Sequence, residues 1–274
     1  MSTDLFSIAD YVTDRENKGF AADNERMRNV SFDTEFFGKN KKVTMQPGLY
    51  VLRGTPAAGK TAFMLQMCSD FAKNAKKHIV YYTFKESTRE LVTRSLACAP
   101  AVVKSSEHNF MRISDCESYA GDFMQSIGKI QSIFSEYGYR IHFAECSANL
   151  KVNELKASIE NNAIDNVIFI DGLQDLILQD LMLAGSFADM LKQLKIFQKE
   201  HNLIIIASFS TAYADNADKR AIMNYADVVW DLEADEVNDD DDNKTNIRLT
   251  WTKNRFNFVS GTVYSYYPEY NMFL

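Results

Sequence analysis

The segment RGTPAAGKTAF, at positions 53–63, has the spacing G-x-x-x-x-G-K-T. In a loop with this spacing, consecutive backbone N–H groups point at a bound anion, and the helix that follows adds the positive end of its dipole. The motif therefore predicts a phosphate-binding loop. The residues expected to contact the phosphates are those of the loop itself: Gly54, Thr55, Pro56, Ala57, Ala58, Gly59, Lys60 and Thr61.

Such a loop needs a strand before it and a helix after it, and the flanking sequence predicts both. The run GLYVLR at positions 48–53 suits a buried strand, and positions 61–77 place apolar residues at helical spacing. The ligands expected here are a nucleotide and Mg²⁺. Lys60 would reach the β- and γ-phosphates, and the Thr61 hydroxyl would ligate Mg²⁺.

A carboxylate is also needed to organise the Mg²⁺ shell, and Asp171 is the candidate. The apolar run VIFI at positions 167–170 predicts a buried strand that delivers Asp171 to the carboxyl edge of a sheet. Without Lys60, Asp171 would be read as a strand-ending residue in a turn before Gly172. Both motifs together favour a Mg²⁺ carboxylate.

Strand and helix patterns alternate along the chain, which predicts an α/β fold with a mainly parallel central sheet flanked by helices. The predicted strands are 50–53, 78–84, 140–144, 167–171 and 203–208. The predicted helices are 61–76, 87–98, 121–137, 152–162 and 187–201. After Tyr225 the pattern becomes β-rich and hairpin-like. Four consecutive aspartates at 239–242 fit either an acidic metal loop or a solvated hairpin tip.

Composition limits the remaining choices. The chain has 274 residues, of which 46% are hydrophobic, enough for one large domain at 46–274 after an extension at 1–45 that includes a candidate linker helix. A net charge of −7 argues against a protein that coats nucleic acid but permits a local basic channel. With no membrane-length apolar run, no leader pattern and no C-x-x-C pair, we expect a cytoplasmic protein with free thiols.

Several segments, taken in order, resemble the ATPase domain of the DnaB-type replicative helicase family, which is built on a RecA-like P-loop core. The resemblance runs from about residue 45 onward and is most specific in its last part. The matching segments are GLYVLRGTPAAGKTAFMLQMCSDFA, HIVYYTFKESTRELVTRSLA, VIFIDGLQDL, IIIASFSTAYADNADKR and YADVVWDLEAD…RLTWTKNRFNFVSGTVYSYYPEYNMF.

The resemblance implies a ring, most simply a hexamer, that acts on single-stranded DNA, with a primase or another replication protein as a further partner. It implies that Lys253 and Arg255 project into the neighbouring subunit's nucleotide site, where an arginine can neutralise charge on the transferring phosphoryl group. Without the resemblance, both would be read as ordinary exposed cations. It also places DNA-facing loops near 102–114 and 211–221. The candidate DNA contacts are Lys104, Arg112, Lys219 and Arg220, with solvated mixed-charge loops as the alternative.

The chain departs from the family pattern at two positions of the mechanism. Lys85 stands where an ungapped alignment puts the family's catalytic glutamate, and Glu86 follows it. We expect Glu86 to activate the attacking water, although it could instead begin the next helix. Phe209 stands at the place of a polar phosphate sensor, between Ser208 and Ser210. These departures leave open a second class of function, an ATP-binding switch or assembly module of a phage, plasmid or defence system with slow or absent hydrolysis.

The number of residues before the ATPase domain also bears on the choice between a replicative helicase and another function. About 45 residues precede the core, too few for the N-terminal collar domain of replicative helicases, so we expect partners or another task. A recombination-type filament is a further alternative, which the Lys-x-Arg hairpin disfavours relative to a ring.

Overall fold

A nine-stranded sheet forms the centre of the computed structural model, which describes residues 30–38, 42–103, 112–114, 135–147, 150–162, 165–176, 186–235, 244–256 and 261–274. The strands are β1 (Phe32–Thr34), β2 (Val43–Met45), β3 (Gly48–Gly54), β4 (Ile79–Thr83), β5 (Ile141–Glu145), β6 (Val167–Asp171), β7 (Ile204–Ser210), β8 (Val228–Ala234), β9 (Thr245–Asn254), β10 (Thr262–Tyr267) and β11 (Met272–Phe273). The helices are α1 (Lys60–Lys73), α2 (Thr88–Val103), α3 (Val152–Asn162), α4 (Phe187–Glu200) and α5 (Asn216–Tyr225).

The order of strands across the large sheet is β11-β10-β9-β8-β3-β7-β6-β4-β5. The six strands from β8 to β5 are parallel, and β9, β10 and β11 extend the sheet in antiparallel fashion. This arrangement confirms the predicted α/β fold, its mainly parallel sheet and its C-terminal hairpin extension.

Helices cover both faces of the parallel strands, which is why those strands read as continuous apolar runs. On one face, Tyr50 and Leu52 of β3 pack with α1 and with Leu91 of α2. On the other face, Leu49 and Val51 pack with α3, α4 and α5. Because successive strand residues point to opposite faces, neighbours on one strand belong to different cores.

The predicted elements within the described residues are found, most of them with shifted ends. Strand 167–171 and helix 152–162 have the predicted bounds. The helix predicted at 61–76 stops at Lys73, since Asn74 closes its last turn and Lys76 takes a left-handed φ of 57°. The acidic run 239–242 and most of the helix predicted at 121–137 lie outside the described residues.

Part of the N-terminal extension packs on the core of the domain. Strands β1 and β2 pair as a small antiparallel sheet. Phe37, which follows β1, is fully buried, and its ring centroid lies 5.0 Å from that of Trp251 in β9. The candidate linker helix in the first residues lies outside the described part, and the domain boundary at residue 45 stays a prediction.

The last strand is attached to the helix that follows the phosphate loop. The Gln66 side chain of α1 donates from Nε2 to the carbonyl of Phe273 at 2.8 Å and accepts from the Phe273 N–H at 2.8 Å. The ring of Phe273 stacks on Tyr266 of β10, with centroids 4.4 Å apart. One glutamine therefore takes the place of a neighbouring strand for β11.

Candidate nucleotide site

The phosphate loop lies between β3 and α1, and its backbone is shaped to face an anion. Ala57 and Gly59 both have positive φ, 63° and 83°. A Cβ at Gly59 would lie 2.9 Å from Cζ of Phe273, so the position needs glycine for both conformation and space. No described side chain caps α1, so the N–H groups of its first turn still have bonding capacity for a ligand.

Lys60 lies at the start of α1 with its ammonium group folded back on the loop. Its Nζ donates to the carbonyls of Gly54 at 3.0 Å and Thr55 at 2.6 Å. Burial lowers the pKa of Lys60, and the nearby charge of Lys85 lowers it further, while Asp171 opposes the shift. The Lys60 ammonium group therefore lies within electrostatic reach of one other cation, Lys85, and of the Asp171 carboxylate.

Asp171 is fixed by three hydroxyl groups at the carboxyl edge of the sheet. Its Oδ2 accepts from Thr61 Oγ1 at 2.7 Å and from the Tyr81 hydroxyl at 2.9 Å. Its Oδ1 accepts from Ser208 Oγ at 2.5 Å. Burial, with the neighbouring Asp171 charge, raises the pKa of Tyr81 well above its usual value, so the phenol stays a proton donor. The sequence predicted the Thr61 and Asp171 pair but not the two other hydroxyls.

These groups line a cleft of about 300 Å³ at the carboxyl edge. Its lining residues come from the phosphate loop and the ends of β4, β6 and β7: Pro56, Lys60, Thr61, Thr83, Lys85, Glu86, Asp171, Gly172, Gln174, Ser208 and Ser210. Hydroxyl and carboxylate oxygens from Thr61 and Asp171 are the hard ligands that Mg²⁺ prefers. The donor set therefore fits a magnesium ion with a phosphate-bearing ligand.

Glu86 lies in the wall of this cleft and is held by an ion pair. Its Oε1 lies 2.9 Å from NH1 of Arg94, and its side chain is 22% exposed. The other oxygen, Oε2, is buried and has no hydrogen-bond partner in the described part of the chain. Burial raises the pKa of Glu86, and the Arg94 charge opposes this. Glu86 thus brings to the cleft wall a carboxylate with one oxygen in an ion pair and the other without a partner among the described residues.

Lys85 lines the same cleft from a more exposed position. Its Nζ lies 3.2 Å from Oδ2 of Asp175, and its side chain is 65% exposed. Both neighbours at the end of β4 therefore reach the site, one as a cation and one as a carboxylate.

Phe209 is absent from the cleft because β7 alternates its side chains between the two faces of the sheet. Phe209 is 2% exposed and packs on the far face, with its ring centroid 5.3 Å from that of Phe187. Ser208 and Ser210 face the cleft instead. Gln174, which no sequence motif pointed to, also lines the cleft and accepts from the Ser210 N–H at 3.3 Å. The apolar character of β7 on both faces hid this alternation.

Arg255 and Lys253 lie at the amino ends of the parallel strands, at the opposite end of the sheet from the phosphate loop. The Lys253 ammonium donates to the carbonyls of Met223 at 2.5 Å and Ala226 at 2.6 Å, at the end of α5. Burial lowers the pKa of Lys253, and the Arg255 charge adds to this. The Arg255 side chain is 52% exposed, with NH1 3.2 Å from Oδ1 of Asp227. Lys253 therefore caps α5, whereas Arg255 is about half exposed and pairs with Asp227.

The candidate DNA contacts differ in their surroundings. Lys219 and Arg220 are exposed on α5, within the segment that follows β7. Arg112 pairs with Glu269, with its Nε 3.2 Å from Oε2. Lys104 lies outside the described residues. Within the part of the chain that the structure describes, no helix is long and apolar enough to span a membrane.

Comparison with known proteins gives one consistent relationship. Residues 34–274 match the family model described as the DnaB-like helicase C terminal domain. A probable replicative DNA helicase of Trieres chinensis is 24% identical over 166 residues, which are 58% of this chain and 34% of that protein. The chain thus spans about a third of the length of this curated relative.

Two solved structures share the fold. One is an isolated ATPase domain with a TM-score of 0.70 at 17% identity, and the match covers 99% of each chain. The other is a DnaB-like replicative helicase, solved in a study of its interactions with primase, with a TM-score of 0.65 at 16% identity, covering 83% of this chain and 58% of that one. These likenesses confirm the RecA-like architecture.

Proposed function

Because this chain belongs to the DnaB-like helicase C-terminal domain family, we propose that it is a Mg²⁺-ATP-dependent motor that acts on single-stranded DNA as a ring-shaped oligomer. The observation that carries the proposal is the meeting of Lys60, Thr61 and Asp171 in one cleft. Those three groups are the minimum for holding a nucleoside triphosphate with its metal.

Binding would begin at the phosphate loop. The uncapped N–H groups of the first turn of α1 and the Lys60 ammonium would bind the phosphates, after Lys60 leaves the carbonyls of Gly54 and Thr55. Thr61 and Asp171 would hold Mg²⁺, which would neutralise charge on the β- and γ-phosphates. Tyr81 and Ser208 would keep the Asp171 carboxylate in place.

Hydrolysis would then need a base and a second cation. Glu86 would orient and deprotonate the attacking water through its unpartnered Oε2, with Arg94 holding the other oxygen. Arg255 would serve the neighbouring subunit's site, since it lies at the far edge of the sheet from its own phosphate loop. A ring is the simplest closed assembly in which every subunit gives and receives such an arginine.

The proposed motor implies two kinds of partner, single-stranded DNA and another replication protein. Lys219 and Arg220 on α5, and Lys104 and Arg112 nearer the middle of the chain, would bind phosphates of single-stranded DNA without reading sequence. One of the similar helicases interacts with primase, and we carry a primase or a comparable replication protein over to this chain as a proposed partner.

A second candidate is an ATP-binding switch or assembly module of a phage, plasmid or defence system, with slow or absent hydrolysis. The favouring observation is that the wall of the cleft presents Lys85 as well as Glu86, and that Glu86 is already engaged by Arg94. A carboxylate held in an ion pair is a weaker base than one near neutral pKa.

Steady-state ATP hydrolysis, with and without single-stranded DNA, separates the two. For a motor we expect DNA-stimulated turnover in the wild type and its loss in Lys60→Ala, Glu86→Gln and Arg255→Ala. Lys192→Ala, at an exposed lysine of α4, is the matched control and should behave as wild type. Nucleotide binding without turnover, unchanged in Glu86→Gln, would exclude the motor and favour the switch.

A further inference from the structure

Lys85 is the most exposed cation in the wall of the nucleotide cleft. Its side chain is 65% exposed, and its one ion pair among the described residues is with Asp175, at 3.2 Å. It lies close enough to Lys60 to help lower the pKa of that lysine. Both lysines line the same cleft, and of the two only Lys60 donates to backbone carbonyls.

Asp175, the partner of Lys85, is held rigidly by its own neighbours. The turn after β6 places Gly172 at a φ of 115°, and the Asp175 N–H donates to the Gly172 carbonyl at 2.9 Å. A Cβ at Gly172 would lie 2.5 Å from Asp175 Oδ2, so this carboxylate is seated directly over the glycine. The Gln174 amide donates to the same oxygen at 2.9 Å.

The mobile member of the pair is thus the lysine. Asp175 keeps a hydrogen bond from Gln174 if Lys85 leaves, so breaking the pair does not strand a buried charge. The lysine stem carries a compact charge on several rotatable bonds, which suits it to change partners. The pair is also solvent-exposed on the lysine side, where an ion pair contributes little to stability.

We propose that Lys85 distinguishes ATP from ADP by exchanging the Asp175 carboxylate for the terminal phosphate of ATP. The inference rests on the proposed nucleotide site. The terminal phosphate carries more negative charge than one carboxylate, so it draws the ammonium group away from Asp175. ADP lacks that phosphate, and with ADP bound Lys85 stays on Asp175. Lys85 is thus a specificity residue, distinct from Lys60, which serves both nucleotides.

The test is equilibrium binding of ADP and of a non-hydrolysable imido analogue of ATP, each with Mg²⁺. Lys85→Met removes the charge and keeps an unbranched side chain that is one atom shorter; it should weaken binding of the ATP analogue by about tenfold or more and leave ADP within about twofold. Asp175→Asn should act in the opposite direction and tighten the ATP analogue, because Lys85 then has no competing carboxylate. Lys192→Met is the matched control and should change neither affinity.

The double variant isolates the exchange itself. In the Lys85→Met background, Asp175→Asn should no longer tighten the ATP analogue, since there is no ammonium group to release. If Lys85→Met changes the affinities for ADP and for the ATP analogue equally, or if Asp175→Asn has the same effect with and without Lys85, this inference is overturned. The proposed function would still stand. If the wild type binds neither nucleotide, the proposed function fails and this inference fails with it.

Discussion

Arg255 and Lys60 lie at opposite ends of the parallel strands, Arg255 at their amino ends and Lys60 at their carboxyl ends. The Arg255 N–H donates to the carbonyl of Asp227, whose own N–H donates to Leu49 at the start of β3. The Lys60 ammonium contacts Gly54 at the end of that strand. At roughly 3.3 Å per residue, Leu49 and Gly54 lie about 17 Å apart along β3, so Arg255 and Lys60 lie near opposite ends of this strand. A guanidinium at this distance cannot reach the phosphates proposed to bind at Lys60 of the same chain, which is why we propose that Arg255 serves a neighbouring subunit.

Mixing two inactive variants tests this separation. Arg255→Ala and Lys60→Ala should each lose nearly all ATP hydrolysis. An equal mixture should regain roughly a quarter of wild-type turnover, because random assembly pairs an intact Lys60 with an intact neighbouring Arg255 in that share of sites. The measurement is steady-state hydrolysis after the two proteins are mixed and allowed to exchange subunits.

The control for the mixture is the double variant carrying both substitutions in one chain. Mixed with Lys60→Ala, it should restore no activity, because no subunit of that mixture carries an intact Lys60. A mixture of the two single variants that stays inactive, although the subunits exchange, would place Arg255 outside the shared site.

The metal site is tested by Asp171→Asn. The substitution keeps the size of the side chain and the contacts with Thr61 and Tyr81 but removes the charge that we propose attracts Mg²⁺. We expect hydrolysis to fall by about a hundredfold or more, with nucleotide binding in the absence of Mg²⁺ nearly unchanged. Binding measured with Mg²⁺ and with a chelator makes the comparison. A loss that is equal in both conditions would point to a structural role for Asp171.

The pH dependence of turnover tests Glu86 as the base. A base acts only when deprotonated, so the rate falls as the pH drops through its pKa, and burial raises the pKa of Glu86 above its ordinary value. The Arg94 charge opposes that shift, so Arg94→Met should raise the pKa further and move the acidic limb of the profile to higher pH. Glu86→Gln should lower turnover by about 10²–10⁴-fold and abolish this limb.

Two outcomes would count against that role. If the acidic limb is unmoved in Arg94→Met, or persists in Glu86→Gln, then another group titrates there and Glu86 serves only to position α2.

Gln66 should matter for stability more than its polar side chain suggests. Gln66→Met fills a similar volume but leaves the Phe273 N–H and carbonyl without partners in a buried place. We expect a loss of about 2 kcal/mol in the free energy of unfolding, measured by urea denaturation. Gln193→Met, on the partly exposed side of α4, is the control and should stay within about 0.5 kcal/mol of wild type. If both variants lose the same free energy of unfolding, the hydrogen bonds between Gln66 and Phe273 do not contribute specifically to stability.

The part of the site that depends on local sequence could be predicted. The phosphate loop and Asp171 each belong to a short segment in which the strand, the turn and the functional residue are consecutive. The order of strands and helices followed from the alternation of apolar runs, because each run corresponds to one element of the sheet.

The remaining parts depend on which residues of distant strands meet. Tyr81 and Ser208 reach Asp171 only because β4, β6 and β7 are neighbours in register, and no local pattern specifies that pairing. The orientation of Phe209 was hidden since β7 is apolar on both faces. In the sequence, Lys85 reads as a substitution that weakens the mechanism, whereas its ion pair with Asp175 gives it a place in the cleft.

The packing of Phe273 against Gly59 also has a consequence for the order of events during translation. The phosphate loop leaves the ribosome well before the aromatic ring that supports it has been made. We therefore expect nascent chains that stop short of β11 to hold nucleotide poorly, even though every phosphate-contacting residue has been synthesised. Competence for ATP would then arrive late, at a time when the rest of the sheet has already emerged.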